Sequence, residues 1–239
     1  MLFSTFSLSA ALLAIGIGQV QAVDKTRDPD LVAKLNDAAT QLDRLTLLPG
    51  DKSWLFDFTI QPYYTFTPGG VINMNVATFP AAKGNGMTMA MLNLGPCSML
   101  PPHYHPRASN YVVAILGNTT TYMFEENGAR LVKEILTPGK ATIFPQASMH
   151  MMVNTGCSNA QLVSALNSED AGTQNIGNVF TNGFPADLVN AAFGSSLDDI
   201  MTAAKMIPVG TGSNWGTQEC LKRCGISPPK NNGTYGYGL

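Results

Sequence analysis

The chain has only three histidines, and two of them, His103 and His105, lie one residue apart in the segment PPHYHPRASN. In extended backbone, residues i and i+2 project from the same face, as two ligands of one ion must. The third, His150, ends the separate segment ATIFPQASMH. Three neutral imidazoles suit Zn, Cu, Ni, Fe or Mn and leave positions open for water or substrate. The pattern therefore predicts a metal site, against the alternative of a core histidine pair and an unrelated third.

The elements that must position these histidines have the pattern of β-strands. Between Trp54 and Ala165 the hydrophobic residues recur with a period of two, and Gly, Pro and Asn interrupt them at short intervals. Examples of these runs are WLFDFTI, VINMNVATF, MTMAMLNL and NYVVAIL. Many short strands joined by such turns are typical of a β-sandwich or barrel, so we predict an all-β domain over residues 53–182.

One of these runs contains alternating methionines, Met87, Met89 and Met91. Alternation at every second residue predicts a single face of a strand, and we expect that face to lie in the core. A soft metal-binding methionine cluster is the alternative. The core strand is the preferred interpretation, because alternation alone explains the pattern.

Helical periodicity precedes the predicted barrel. We predict one helix over residues 28–48, because Asp28 can cap it, Pro29 suits the first turn, and apolar residues recur at steps of four and three, namely Leu31, Leu35, Ala38, Leu42 and Leu45. The helix lies in an N-terminal extension, residues 23–52, and its leucine stripe must pack on the main domain or on a neighbouring subunit.

Helical periodicity returns after the barrel. Residues 183–207 are predicted to contain two C-terminal helices, 184–193 and 196–206, each with an apolar face. The remaining residues, 208–239, are rich in Gly, Asn, Ser and Pro, and they are predicted to form a cysteine-containing, largely mobile tail.

The beginning of the chain has the features of a secretory signal. Residues 2–22 carry no charge, and Val20 and Ala22 stand where a signal peptidase selects small residues. A membrane anchor is the alternative, but the apolar run Leu8–Ile17 is shorter than the roughly 20 residues that a span needs. We predict a cleaved signal peptide over residues 1–22, no membrane span in the remaining chain, and an extracellular or cell-wall location.

Charge and sequons agree with an exported protein. The net charge of -2 and the absence of a lysine or arginine cluster argue against a nucleic-acid partner, which requires a basic surface. Asn118 and Asn232 each begin an N-glycosylation sequon. Both are predicted glycosylation sites in a chain that meets the secretory machinery.

The four cysteines, Cys97, Cys157, Cys220 and Cys224, are predicted to be oxidised outside the cell. A Cys₄ zinc site is the alternative, but it normally needs two closely spaced pairs, and only Cys220 and Cys224 are close. If the two histidine-bearing strands run antiparallel and side by side, Cys97 and Cys157 fall nearly opposite each other. We therefore predict the disulfides Cys97–Cys157 and Cys220–Cys224.

Two blocks of the sequence resemble the cupins, and among them the secreted germin-like and spherulin-like proteins. The first block, residues 95–117, contains PPHYHPRASN between two glycines, and the second, residues 139–154, is GKATIFPQASMHMMVN. The resemblance extends from about Phe56 to about Met206. It implies a double-stranded β-helix, the jelly-roll barrel, with one divalent metal ion inside it. The resemblance further implies that this ion is manganese and that three histidines and a glutamate hold it.

The chain departs from the family pattern at two positions. Asn110 lies where germin-like proteins have glutamate, five residues after the second histidine, and Ala147 lies where the second block often has glycine. An amide oxygen can coordinate a metal, but it lacks the negative charge that favours hard Mn²⁺. Glu125 and Glu126 fall in a predicted turn and cannot replace it. A site made of the three histidines and Asn110 is therefore expected to favour Cu²⁺ or Zn²⁺.

Three functions are compatible with the resemblance. The first is a metal-dependent oxidoreductase of the oxalate oxidase or superoxide dismutase type, favoured by the open site and disfavoured by the missing glutamate. The second is a non-catalytic protein of the cell wall or spore coat, and the third is a barrel that binds a small ligand. No acid or base can be assigned beyond the metal ligands, so the sequence leaves enzymatic activity open.

The resemblance also implies a homo-oligomer, in which C-terminal helices pack between subunits. The apolar faces of residues 184–206 and the leucine stripe of the N-terminal helix suit such contacts. The alternative is that both simply cover their own barrel.

Overall fold

A computed structural model describes residues 25–194 and 212–228. Two antiparallel sheets form a jelly-roll β-barrel, so the predicted fold class is confirmed. One sheet has the strand order β1-β2-β9-β4-β7, and the other has the order β10-β3-β8-β5-β6, with β11 also paired to β3. The strands are β1 (Gly69–Met74), β2 (Thr88–Leu94), β3 (Ser98–Tyr104), β4 (Asn110–Leu116), β5 (Thr119–Phe124), β6 (Val132–Leu136), β7 (Ala141–Phe144), β8 (Met149–Val153), β9 (Ala160–Leu166), β10 (Gln174–Asn175) and β11 (Asn214–Trp215).

Helices lie at both ends of the described chain. They are α1 (Pro29–Asp37), α2 (Gln41–Leu47), α3 (Ile176–Asn178), α4 (Ala186–Ala192) and α5 (Gln218–Arg223), with 3₁₀ turns at Asp51–Trp54 and Pro80–Ala82 and a π-helical turn at Val179–Gly183. No helix of the described residues has the length and hydrophobicity required to cross a membrane.

The inner faces of the two sheets enclose one apolar core. Alternate residues of each strand point inward, so small and branched side chains from both sheets fill the space between them. Its large buried members include Leu92, Leu94, Leu100, Val112, Phe144, Met152 and Leu162. The histidines adjoin this core, since the ring of Phe144 stacks on that of His150 with the centroids 4.1 Å apart.

The predicted N-terminal helix is two helices. Asp28 caps α1 as predicted, because its carboxylate accepts a hydrogen bond from the Leu31 N–H at 3.0 Å. The backbone becomes extended at Ala38, where α1 ends, and a signal for the start of a second helix follows. Thr40 and Asp43 form a capping box, in which each side chain accepts from the backbone N–H of the other. The prediction of one helix over 28–48 was wrong because it overlooked this signal.

Two of the predicted strand assignments also differ from the structure. The run WLFDFTI forms no strand, since a 3₁₀ turn ends at Trp54 and turns follow it. MTMAMLNL does form a strand, but its methionine face is the outer one. Met87 and Met89 are about half exposed, whereas Ala90 and Leu92 are buried. Alternation identified the two faces of β2 correctly but not which of them points inward.

The C-terminal segment 212–228, predicted as part of a mobile tail, packs on the barrel. Strand β11 pairs with Met99 and Ser98 of β3, and α5 follows it. The signal peptide 1–22, the predicted helix 196–206, the sequon at Asn232 and the last residues of the tail lie outside the described residues. Asn118 is exposed in the turn between β4 and β5.

The disulfides pair differently from the prediction. They join Cys97 to Cys220 and Cys157 to Cys224, with Cα atoms 5.7 Å and 5.2 Å apart. Cys97 and Cys157 do lie near each other, since the Cys97 N–H donates to the Gly156 carbonyl at 3.1 Å. Cys220 and Cys224 are one helical turn apart, so both side chains project from one side of α5. Each therefore reaches a different barrel cysteine, and the predicted pairs Cys97–Cys157 and Cys220–Cys224 are wrong.

Candidate metal centre

The structure brings the three histidines together inside the barrel. His103 lies in β3 and His150 directly opposite it in β8, and their ring centroids are 4.3 Å apart. His105 follows β3, with its ring centroid 5.4 Å from that of His103 and 5.3 Å from that of His150. One ring nitrogen from each histidine lies within 4.8 Å of the other two. This is the convergence that binding of one ion requires.

A β-bulge at two prolines turns His103 inward. Leu100 pairs with Met152 and His103 pairs with His150, so Pro101 and Pro102 together oppose a single residue of β8. Proline has no N–H to give to the strand ladder, which is why a bulge forms there. Strict alternation from buried Leu100 would have pointed His103 outward. The extra residue reverses the phase, and His103 is 6% exposed.

Backbone carbonyls fix the orientation of each ring. Nδ1 of His103 lies 2.8 Å from the Pro101 carbonyl oxygen, and Nδ1 of His105 lies 2.7 Å from that of Gly172. Nδ1 of His150 lies 3.0 Å from the Ser148 carbonyl oxygen. A carbonyl can only accept, so each Nδ1 carries the hydrogen and donates it. The Nε2 lone pairs are the ones that a metal ion can use, and that of His105 also lies 3.4 Å from the Asn110 Nδ2.

The environment keeps the three rings neutral. Burial, followed by the neighbouring charge of His105, lowers the pKa of His103 to about 4. Burial also lowers the pKa of His105. For His150, burial and then repulsion from His103 hold the pKa well below its usual value. A neutral imidazole is the form that coordinates a metal, so these histidines are ready to bind at neutral pH.

Asn110 opens β4 beside the histidines and is 2% exposed. Its Nδ2 lies 3.4 Å from Nε2 of His105, and its Oδ1 has no hydrogen-bond partner among the described residues. Nε2 of His150 is also buried without a partner there. Buried polar atoms normally find one. Both atoms are of types that bind a divalent ion, an amide oxygen and an imidazole nitrogen, although Asn110 turns its Nδ2 rather than its Oδ1 toward His105.

The described carboxylates stay away from this centre. Glu125 and Glu126 are exposed in the turn after β5, where the sequence predicted them. The metal-binding group that the described residues form around the histidines contains only His103, His105 and His150. The candidate ligands among the described residues are therefore neutral.

A small cavity adjoins the histidines. Its volume is about 30 Å³, and since roughly 10–15 Å³ of such space holds one water, it takes about two waters or a ligand of similar size. Its described lining is apolar or uncharged and consists of Val71, Asn73, Ala90, Leu92, Leu100, Pro101, His103, His105, Asn110, Ser164, Leu166, Thr173, Asn175 and Gly212.

Two loops hold the segment that carries His105. The Ala147 N–H donates to the His105 carbonyl at 3.1 Å, from a backbone position with φ of 65° that usually favours glycine. On the other side, Arg107 binds the loop that contains Gly172. Its Nε donates to the Asp170 carbonyl at 2.7 Å, and its Nη2 donates to the Asp170 carboxylate at 2.8 Å. The Gly172 carbonyl that orients His105 is thus held by Arg107.

The sequence prediction missed two features of this centre. Ser164 lies in the run AQLVSAL at an inward-facing position, between Leu162 and Leu166, and a polar residue in the apolar phase of a strand was the available signal. The contact between Arg107 and Asp170 had no such signal, because only the fold brings these distant residues together.

Comparison with known proteins gives three findings. The profile of the family described as Cupin matches residues 58–200. Spherulin-1A of Physarum polycephalum is 34% identical over 202 residues, which cover 83% of this chain and 80% of that protein. Germin-like protein subfamily 3 member 1 of Arabidopsis thaliana is 34% identical over 157 residues, or 61% of this chain and 74% of that protein.

The solved structures that resemble this fold include oxalate oxidase in complex with the substrate analogue glycolate. The TM-score is 0.60, with 21% sequence identity over 65% of this chain and 81% of that one. At this identity the similarity is one of fold.

Proposed function

Because the chain belongs to the cupin family, with spherulins and germin-like proteins among its relatives, we propose that it is a secreted, metal-binding germin-like cupin. The ion is divalent, one per chain, and its ligands are His103, His105 and His150. A single observation carries this proposal: three neutral imidazoles, two of them buried and that of His105 half-buried, each have Nδ1 tied to a backbone carbonyl and converge within 4.8 Å of one another.

Asn110 is proposed as a fourth, neutral ligand. Its unpartnered Oδ1 supports that role. Because no described carboxylate joins the site, the ligand set lacks the negative charge that favours Mn²⁺, and nitrogen-preferring Cu²⁺ or Zn²⁺ is the expected ion. Manganese, which the family resemblance implied, would then bind to this chain more weakly than Cu²⁺ or Zn²⁺.

The centre is suited to an oxidoreductase of the germin type, provided that the bound ion is redox-active. Such an ion would supply electron transfer and polarise an oxygen-containing ligand. The chain's own contribution is to orient the ligands, to limit access through a small cavity and to exclude bulk water. The similarity to a germin-like protein supports this class, as does the cavity beside the histidines, whereas the similarity to spherulin-1A supports the second candidate below.

A non-catalytic role in a cell wall or spore coat is the second candidate. It is favoured by the composition of the cavity, because none of the described residues that line it is a carboxylate, lysine or arginine able to move a proton. The chain has no histidine beyond the three proposed ligands. One experiment separates the two candidates: metal analysis of protein purified from its native host, followed by oxalate oxidase and superoxide dismutase assays of the same sample. Metal without either activity would favour the second.

Secretion is supported by the two disulfides and by the exposed position of the Asn118 sequon. Homo-oligomerisation is supported by apolar side chains left exposed on the helices. Leu42 of α2 and Leu188 of α4 are 75% and 63% exposed, and Phe184, just before α4, is also exposed. These helices are therefore the candidate contact surfaces.

A further inference from the structure

The two disulfides lie close together where the C-terminal segment 212–228 meets the barrel. Cys220 and Cys224, one helical turn apart, bond to two different barrel cysteines, Cys97 and Cys157. The Sγ atoms of Cys97, Cys220 and Cys224 all lie within 4.8 Å of one another. One sulfur of the Cys157–Cys224 bond is therefore within 4.8 Å of both sulfurs of the Cys97–Cys220 bond.

The two disulfides differ in their exposure to solvent. Cys97 and Cys220 are 1% and 5% exposed and belong to a small apolar cluster with Leu221, so we call their bond the inner disulfide. Cys157 lies in the exposed run 155–159 between β8 and β9, and Cys224 is half-buried, so we call their bond the outer disulfide. Thiol–disulfide exchange requires access of the attacking thiolate to a sulfur. A thiol in solution therefore meets the outer disulfide first.

A guanidinium lies beside the inner disulfide. Nη2 of Arg223 is 3.4 Å from Cys220 Sγ. A nearby positive charge stabilises a thiolate, and the sulfur that forms the more stable thiolate leaves faster in thiol–disulfide exchange. When the inner disulfide is attacked, Cys220 is therefore the favoured leaving group, and Cys97 receives the new bond.

We propose that the outer disulfide is a site of covalent modification by small thiols, and that the reaction is passed on to the inner disulfide. A thiolate from solution bonds to Cys157 Sγ, and the electron pair of the outer bond leaves with Cys224 Sγ. The Cys224 thiolate then bonds to Cys97 Sγ, and the electron pair of the inner bond leaves with Cys220 Sγ. The chain and the small thiol hold two disulfide bonds before and after the exchange, and the proton of the thiol ends on Cys220 or in solution.

The exchange changes how the C-terminal segment is attached to the barrel. In the product, Cys97–Cys224 is the one disulfide that joins this segment to the barrel, where two join it now. The segment pairs with β3 through β11 and contributes Gly212 to the lining of the cavity beside the histidines. The modification therefore loosens a segment that adjoins the proposed metal centre. Its chemistry requires no metal ion, so the inference stands apart from the proposed function.

Glutathione is the probe. The purified protein with both disulfides intact is incubated with glutathione under native conditions, quenched with N-ethylmaleimide, and mapped by mass spectrometry after tryptic digestion without reduction. Trypsin separates Cys220 from Cys224, because it cleaves at the two basic residues between them. We expect glutathione on Cys157, a pair of peptides joined through Cys97 and Cys224, and N-ethylmaleimide on Cys220.

The matched control is the double variant Cys157→Ser/Cys224→Ser, which lacks the outer disulfide. At the same glutathione concentration its inner disulfide should remain intact, because no thiolate is formed beside it. Arg223→Ala provides a second variant, which keeps all four cysteines. Its Cys157 should still take up glutathione, whereas the bond between Cys97 and Cys224 should form about threefold more slowly, since the leaving Cys220 thiolate loses the neighbouring charge.

The outcomes test each step of the inference. An unchanged outer disulfide, or glutathione on Cys224 rather than on Cys157, would refute the modification site. Glutathione on Cys157 with Cys97–Cys220 unchanged would refute transfer to the inner disulfide. Equal opening of the inner disulfide in the parent and the double variant would also refute it, because glutathione would then attack that bond directly. If the double variant fails to fold, an unchanged rate in Arg223→Ala contradicts the assignment of Cys220 as the leaving group.

Discussion

His103 and His150 face each other across β3 and β8 only because a β-bulge lies immediately before His103. The strand pairing shifts between Leu100 and His103, and the two imidazole rings end 4.3 Å apart. Pro101 and Pro102 supply the extra residue of the bulge. The grouping of the histidines in the proposed metal centre therefore depends on two prolines that cannot bind a metal themselves. Their role is to set the phase of the strand.

The choice of metal should depend on residue 110. Asn110→Glu places a carboxylate beside His105, where the present amide nitrogen lies 3.4 Å from Nε2. The added negative charge should raise the affinity for Mn²⁺ relative to Cu²⁺ and Zn²⁺. Competition titrations of the parent and the variant with pairs of these ions measure the shift. Unchanged selectivity would mean that residue 110 does not contact the ion.

Arg107 should act as a positioning residue for His105. Its guanidinium and backbone hold the loop around Asp170 and Ala171, and the next carbonyl, that of Gly172, orients the His105 ring. Arg107→Ala should weaken Zn²⁺ binding by up to about tenfold, toward the lower end of the loss seen when a group that orients a metal ligand is removed. Isothermal titration with Zn²⁺ provides the measurement.

The control for Arg107 is Lys83→Ala. Lys83 forms a salt bridge of 2.9 Å with Glu169, the residue adjacent to Asp170 in the same loop, but it does not contact the His105 segment. Its Zn²⁺ affinity should remain at the parental value. Equal losses in both variants would assign the effect to general loosening of the loop rather than to positioning of His105.

The metal-free protein should lose stability as the pH falls from about 6.5 to about 4. Burial lowers the pKa of His103 to about 4 from 6.5, so the unfolded chain takes up the proton first in this window. The contribution of neutral His103 to the free energy of unfolding is fully present above pH 6.5 and is lost as the pH falls to about 4. Urea unfolding at several pH values gives the slope, and His103→Gln, which cannot titrate, should reduce it. Identical slopes in the two proteins would contradict the buried neutral state of His103.

The helices should mediate self-association. Leu188 of α4 is 63% exposed, and a charged side chain there should prevent an apolar contact between subunits. Light scattering of the mature, deglycosylated protein should give a multiple of the monomer mass, and Leu188→Glu should shift it toward the monomer. A monomer mass for the unmodified protein would show that the helices only cover their own barrel.

Sequence periodicity and turn residues predicted a β-sandwich or barrel, and the resemblance to the cupins implied the jelly-roll barrel that groups His103, His105 and His150. They were not sufficient to choose the inner face of β2, because Met89 and Leu92 alternate equally well and only the packing of the second sheet decides between them. Pro101 and Pro102 were the available signal for the β-bulge that turns His103 to the inner face of β3. The sequence alone could not reveal that both loops beside His105 hold it in place.

The disulfides illustrate a different limit. Strand register correctly indicated that Cys97 and Cys157 are neighbours, but register specifies backbone positions rather than side-chain directions. Cys97 has a φ of 54°, outside the strand conformation, and α5 docks beside it. Because Cys220 and Cys224 are one helical turn apart, their side chains point in the same direction rather than toward each other. Both sulfurs therefore reach the barrel.

The central claim is that His103, His105 and His150 together hold one divalent ion. Elemental analysis of the purified protein and of the variant in which all three are alanine, each dialysed against the same mixture of Mn²⁺, Cu²⁺ and Zn²⁺, tests it most directly. Tyr104→Phe, between two of the ligands in the sequence, is the control. We expect about one ion per chain in the parent and the control and almost none in the triple variant, because no other described histidine exists to bind it. A triple variant that retains the metal at the parental level would contradict the account.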